Sequence, residues 1–180
     1  MANYGDRARI GMLLPSVNRA AEPQITEMLP TGVSLHSTRL RLQSSEEEHI
    51  NEMVADVERG AVMLADADVD LIVFHCTAAS MFAPGFDDSI IDRIETATGK
   101  PATSTSKGCV EAFETVGAKK ITLTTPYIQV TNDREVAFLR TEREIAHAQT
   151  VTEQVAFRAA AETFETQVSL AEAAARAGQQ

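Results

Sequence analysis

From Arg9 to about Arg140, short apolar runs alternate with stretches in which apolar residues recur at every third or fourth position. The first pattern predicts strands, the second amphipathic helices. Leu71-Ile72-Val73-Phe74 runs without a break into His75-Cys76-Thr77, which predicts a strand buried on both faces and ending in polar residues. Arg9–Leu14 reads as the first strand, stopped by Pro15-Ser16-Val17-Asn18, and a helix follows from about Ala20 to Met28. Val33–Leu40 alternates with a period near two and reads as a second strand, nearer an edge. Ser44 to Glu48 has the serine caps and acidic first turn of a helix start. Ile50, Met53, Val54, Val57, Ala61 and Leu64 then form one stripe, predicting a single helix to near Ala65.

Beyond the central strand, Ala78 to Phe86 is predicted as a loop, then a helix with Ile90, Ile91, Ile94 and Ala97 inward, closed by Gly99. Lys100–Ser104 is a short fourth strand, and Val110, Phe113 and Val116 should be the buried face of the next helix. Lys120–Thr124 is the fifth strand, and Thr131-Asn132-Asp133 caps a helix through Val136 and Leu139. From Thr141 onward the chain is rich in helix formers and shows no further apolar strand. This β-α alternation specifies an α/β fold, a parallel sheet flanked by helices. The sheet should contain Arg9–Leu14 at its centre with Val33–Leu40, Leu71–His75 and Lys120–Thr124. In such a sheet the polar strand ends share one rim, where open parallel sheets bind ligands. They are Pro15-Ser16-Asn18, Cys76-Thr77, Ser104-Thr105-Ser106 and Thr124-Thr125-Tyr127.

Composition narrows the chemistry. A net charge of −10 over 180 residues argues against nucleic acid and anionic membranes as partners. It also means that any anion site must be built locally, from hydroxyls, amides and backbone N–H groups. No apolar run approaches the ~20 residues of a membrane span, and Met1 to Arg9 lacks the apolar core of a signal peptide, so a cytoplasmic protein is expected. Cys76 and Cys109 are the only cysteines, so no disulfide framework is indicated. Neither metal-ligand spacing nor a glycine-rich nucleotide fingerprint is present, and no cofactor is expected. Taken alone, Cys76 reads first as a small buried hydrophobe. Asn18 and Asn132 read as helix caps.

Gly11-Met12-Leu13-Leu14-Pro15-Ser16-Val17-Asn18, the His75-Cys76-Thr77 strand end, and Thr125-Pro126-Tyr127 followed by Asn132-Asp133-Arg134-Glu135-Val136 resemble the maleate cis-trans isomerases. These are grouped with the arylmalonate decarboxylases in the aspartate/glutamate racemase superfamily. The resemblance covers roughly Arg9 to Arg140. It implies two similar α/β halves with the site between them, residues 1–125 forming the N-terminal half and residues 126–180 the start and remnants of an incomplete second half. It implies a nucleophilic cysteine, matched by Cys76, where the decarboxylases have a small residue. It assigns Asn18, Thr77, Tyr127 and Asn132 to substrate holding, with Pro15 and Ser16 shaping the first loop. The family's second cysteine has no counterpart; Cys109 lies on a helical apolar face and reads as core. The likeness skips a segment around Phe164-Glu165-Thr166 and a shorter one near Arg140-Thr141, where a break in the chain is expected.

The implied reaction is cofactor-independent isomerisation of a small unsaturated dicarboxylate, maleate to fumarate, by thiolate addition, rotation and elimination. For that, Cys76 should sit at a helix N-terminus that lowers its pKa, while His75 should point to the other face of the strand. The expected partners are the small dicarboxylate and further copies of the chain in a homo-oligomer. Racemisation or decarboxylation of another small acid, and non-catalytic binding of a small acid by a degenerate member, are the alternatives.

Overall fold

The structure, a computed structural model, describes residues 3–142 and 144–150, the last strand as backbone only. Four strands form a parallel sheet in the order β2-β1-β3-β4. They are β1 Ala8–Pro15, β2 Val33–Leu40, β3 Leu71–Phe74 and β4 Ala102–Ser104. The first strand is interior, as its run of apolar residues requires. Met12, Leu13 and Leu14 are all at most 1% exposed, because helices cover both faces. On one face Leu13, Leu40, Ile72 and Phe74 pack with Ile50, Leu64, Ile90 and Ile94 from helices α2 Glu47–Ala55, α3 Val57–Asp66 and α5 Phe86–Thr98. On the other, Met12 and Leu14 pack with Ala21, Ile25 and Leu35 under α1 Ala21–Met28.

The α3 helix approaches the sheet closely at Gly60. A Cβ there would meet Leu40 Cδ2 at 2.8 Å and Leu13 Cδ2 at 2.9 Å. Both leucines are fully buried, so neither can yield without disturbing the core. Gly60→Val is expected to lower stability by about 2 kcal/mol through overpacking, seen as a fall in the thermal unfolding midpoint with no change in far-UV signal below the transition.

Five features depart from the expectations. The helix predicted from Ser44 to Ala65 is two helices, α2 and α3. Asp56 between them leaves helical geometry (φ −100°, ψ 7°), and its carboxylate is held by Arg59. The loop after Cys76 opens with a short helix, α4 Thr77–Ser80. Helix α6 Thr105–Thr115 buries little: Ser106 is its buried residue, and Val116 just beyond is 75% exposed. Strand β5 Lys120–Thr125 leaves the main sheet and pairs in parallel with β6 Glu144–Thr150, a strand in the region predicted to have none. The sequence of β5 shows why. Lys120, Thr122 and Thr124 are exposed between the half-buried Ile121 and Leu123, a pattern that suits a one-sided strand, not a place under helices on both faces.

Between the two strands runs α7 Gln129–Glu142, helical without interruption through Arg140-Thr141, where a break was expected. Phe164-Glu165-Thr166 lies outside the described residues. The α7 helix docks on the N-terminal part of the fold by three contacts. Thr131 Oγ1 donates to the Ser45 carbonyl at 3.4 Å, Arg134 pairs with Glu47 at 2.8 Å, and the Arg134 guanidinium lies 4.1 Å from the centre of the Phe82 ring. That docking holds the β5–α7 turn over the end of β3. Among the described residues, no helix is long and apolar enough to cross a membrane.

Candidate active site

The site is assembled from three chain segments at the carboxyl ends of β1, β3 and β5. After Pro15, Ser16 is tied to the exit of β2. Its N–H donates to Leu40 O at 2.7 Å, and its Oγ accepts from Leu42 N–H at 3.1 Å. Asn18 follows, and its Oδ1 accepts from the N–H groups of Ala20 (3.0 Å) and Ala21 (2.9 Å) at the start of α1. The cap reading is therefore satisfied by the oxygen alone, which leaves the side-chain NH2 as the part of Asn18 that a ligand could use.

At the second segment the strand stops at Phe74, but His75 N–H still donates to Leu13 O at 2.7 Å. Cys76, in extended geometry, then turns the chain into α4. The third segment is a clamped turn. Thr125 Oγ1 donates to Asn132 Oδ1 at 3.1 Å and accepts from Tyr127 N–H at 3.4 Å. Pro126 and Tyr127 are thereby fixed in that turn, and Tyr127 faces the same cleft as Cys76 and Thr77.

These segments enclose a cleft of about 210 Å³. Of the residues singled out in the sequence, Pro15, Asn18, Cys76, Thr77 and Tyr127 line it. Ser16 and Asn132 do not: the first braces the β1 turn, and the second, 3% exposed, pins the Thr-Pro-Tyr turn from behind. Val17, Leu42, Ser45, His75 and Ala78 complete the wall. His75 was expected on the far side of the strand. The pleat ends at Phe74, so alternation no longer governs it, and it lines the same cleft as Cys76. Burial lowers its pKa below the ordinary value, so the ring is neutral at pH 7.

The thiol also departs from expectation. Backbone N–H groups of Ala79 and Ala78 do favour the Cys76 thiolate, but burial outweighs them and carries the pKa up to about 11. A four-residue helix has too few aligned peptides to overcome the loss of water around a cysteine that is 7% exposed. Tyr127 is pushed up to about 12, first by burial and then by Glu135 and Cys76. It is a neutral donor across the whole physiological range.

Glu135 was not singled out by its type, yet it is 2% exposed and its Oε1 has no hydrogen-bond partner among the described residues. Its position follows from helical spacing: Thr131, Asn132, Glu135, Val136 and Leu139 form the buried stripe of α7. Burial raises its pKa from 4.5 to about 7. A carboxyl that holds its proton more tightly in the folded than the unfolded state favours folding below pH 4.5, and that stability is lost as pH rises to about 7. Glu135→Gln removes this dependence. The variant's unfolding midpoint is expected to exceed the parent's by more in mildly alkaline buffer than at pH 5, as followed by circular dichroism.

A larger cavity of about 340 Å³ lies between the start of α5, α6 and the end of α7. It contains no thiol, and its Lys107 is already paired with Asp88 at 2.8 Å, so it offers less chemistry than the cleft at Cys76. Cys109, half-buried in α6, lines neither cavity. Among the described residues, no group of three or more His, Cys, Asp or Glu is placed to hold a metal ion.

A family model described as arylmalonate decarboxylase matches residues 10–176. The chain is similar to the maleate isomerase of Pseudomonas putida, 31% identical over 147 residues, which are 74% of this chain and 59% of that protein. It is also similar to the maleate isomerase of Geobacillus stearothermophilus, 28% identical over 145 residues, 73% of this chain and 58% of that protein. The chain thus spans under two thirds of the length of these curated relatives. Its fold matches a Nocardia farcinica maleate cis-trans isomerase, a cysteine-to-serine variant with a covalently bound succinylcysteine intermediate. The TM-score is 0.73 at 24% identity, over 80% of this chain and 63% of that one. It also matches an unliganded arylmalonate decarboxylase, with a TM-score of 0.66 at 22% identity, over 80% of this chain and 62% of that one. With the family model covering nearly all of its length and the strand-end residues gathered around one cleft, the chain belongs to the arylmalonate decarboxylase family, beside the maleate isomerases.

Proposed function

We propose that the cleft at Cys76 isomerises a small unsaturated dicarboxylate, converting maleate to fumarate, with the Cys76 sulfur as nucleophile. The observation that carries this reading is the convergence on one small cleft of a thiol with hydrogen-bonding side chains, among them those of Asn18, Thr77 and Tyr127. The succinylcysteine named in the Nocardia farcinica structure supports it. A succinyl thioether is what remains when a thiolate adds across the double bond of a four-carbon diacid and the neighbouring carbon takes a proton.

The steps balance without a redox partner. The Cys76 thiolate forms a C–S bond to one alkene carbon, and the π electrons move onto the adjacent carbon and its carboxylate. The former double bond is now single and rotates. The electrons then return, the C–S bond breaks, and the trans alkene leaves with the thiolate restored. Charge develops on one carboxylate during addition, and fixed donors aimed at it lower the barrier. The Asn18 NH2 and the hydroxyls of Thr77 and Tyr127 are donors of the cleft suited to that task. In a chain of net charge −10 they must hold a dianion locally. The test is proton NMR of maleate-to-fumarate conversion by the parent and its Cys76→Ser variant; equal rates would defeat the reading.

A further inference from the structure

We propose that Glu135 is a positioning residue for the thiol chemistry of Cys76: its buried, unpaired carboxyl, behind the cleft on the inner stripe of α7, opposes formation of the thiolate once it has itself lost its proton. This deepens the isomerase reading and rests on it for its catalytic meaning. The first ground is geometric. Thr131 Oγ1 and Asn132 Oδ1, on the same stripe, are hydrogen-bonded to Ser45 O and Thr125 Oγ1. Glu135 Oε1 is sealed from water with no partner among the described residues. An unpaired buried carboxyl is destabilising, and its isosteric replacement by an apolar residue would serve packing better, so the fold alone gives no reason for it.

The second ground is what faces it. Cys76 at the end of β3, Tyr127 on the turn before α7, and Cys109 on α6 all feel the Glu135 charge. His75 lines the cleft beside Cys76. The neighbouring charges of α7 turn outward: Asp133 accepts from Gln129 at 2.7 Å, and Arg134 is engaged by Glu47 and Phe82. Two acids that share a poorly solvated site do not ionise independently. Glu135 loses its proton at about 7, and its charge is then one of the forces holding the Cys76 thiol at about 11. While Glu135 is protonated, burial is the main opposition to the thiolate, and the Ala79 and Ala78 N–H groups work against it. The site therefore accepts one negative charge far more readily than two.

The test reads the thiol directly. Alkylation of the parent by iodoacetamide, an uncharged reagent, is followed from mildly acidic to alkaline pH, with peptide mass spectrometry separating Cys76 from Cys109. The Cys76 rate should rise in proportion to hydroxide, flatten into a shoulder beginning near pH 7 as Glu135 ionises, and rise again. In Glu135→Gln the shoulder disappears, and alkylation in mildly alkaline buffer is faster by about tenfold or more, the effect of removing a like charge nearby. Glu135→Asp keeps the charge and keeps a shoulder. A parent profile without a shoulder, a Gln variant that retains it, or a Cys76 inert at every pH overturns the proposal. If Glu135→Gln fails to fold, the parent and Asp profiles decide. Turnover is not measured, so a full-activity Cys76→Ser would remove the isomerase reading while leaving this coupling to stand or fall by itself.

Discussion

Replacing Cys76 by Ser is expected to reduce maleate-to-fumarate turnover by about 10³-fold or more, the scale for losing a residue that acts as part of a catalytic unit. Serine keeps the size of the side chain and can accept from the same Ala79 and Ala78 N–H groups that face the sulfur. It removes the soft, ionisable atom on which addition and elimination both depend. The fold should survive, because the buried neighbours Ile72, Phe74 and Ala79 are untouched and a hydroxyl in that position has donors to meet. Cys109→Ser is the control: its sulfur lines neither cavity, so turnover should follow the parent's. Proton NMR resolves the alkene protons of the two acids and gives both rates in one experiment. Full activity in Cys76→Ser would sink the nucleophile. An inactive parent that still broadens the maleate resonance would shift the reading to small-acid binding, and one that decarboxylates or racemises another small acid would shift it to the neighbouring chemistries of the family.

How much of this was legible in the sequence depended on how far each signal was local. The Leu71–Phe74 run and the Arg9–Leu14 run carry their burial in their composition, since a strand covered on both faces has no polar position to spare. Their parallel pairing and the central place of β1 follow. Strand β5 misled because β-α alternation was extended one strand too far. Its alternating lysine and threonines already mark a one-sided strand, a signal that outranks the rhythm of the chain. The break at Asp56 was hidden because the apolar stripe continues in phase across it, and only the Arg59 contact and the backbone geometry show the interruption.

In the site, the strand-end residues were found by type and position, but their division of labour was not. Ser16 reads in the sequence as shaping the first loop, and its Oγ does brace the β1 turn; Asn132 reads as a cap or a substrate holder, and its Oδ1 accepts from Thr125. Glu135 enters the sequence reading only as part of the motif after Tyr127, and it is the α7 stripe shared with Asn132, Val136 and Leu139 that identifies it as buried. The Cys76 pKa was misjudged for a physical reason. The favourable helix terminus is visible in sequence, whereas the larger cost of desolvation depends on what the rest of the chain lays over it.

Asn18→Asp should separate the two roles that the sequence could not. The cap needs only an acceptor oxygen, and Ala20 and Ala21 already use Oδ1. Aspartate supplies that oxygen and is as good a helix cap as asparagine, with a charge that suits the N-terminus of α1. Stability should therefore stay within about 0.5 kcal/mol of the parent. The cleft, by contrast, loses both side-chain N–H donors and gains a carboxylate facing a dianionic substrate. Losing one well-placed donor to a developing oxyanion typically costs on the order of 10²-fold in rate, and like-charge repulsion adds to this, so kcat/KM should fall by about 10²-fold or more with a rise in KM. A serine at this position would keep a capping oxygen without the charge, and its smaller loss would apportion the effect between donor and repulsion. Thermal unfolding beside steady-state kinetics is the measurement. A drop in stability with unchanged kcat/KM would make Asn18 a cap and nothing more, and would leave Thr77 and Tyr127 to hold the substrate carboxylates.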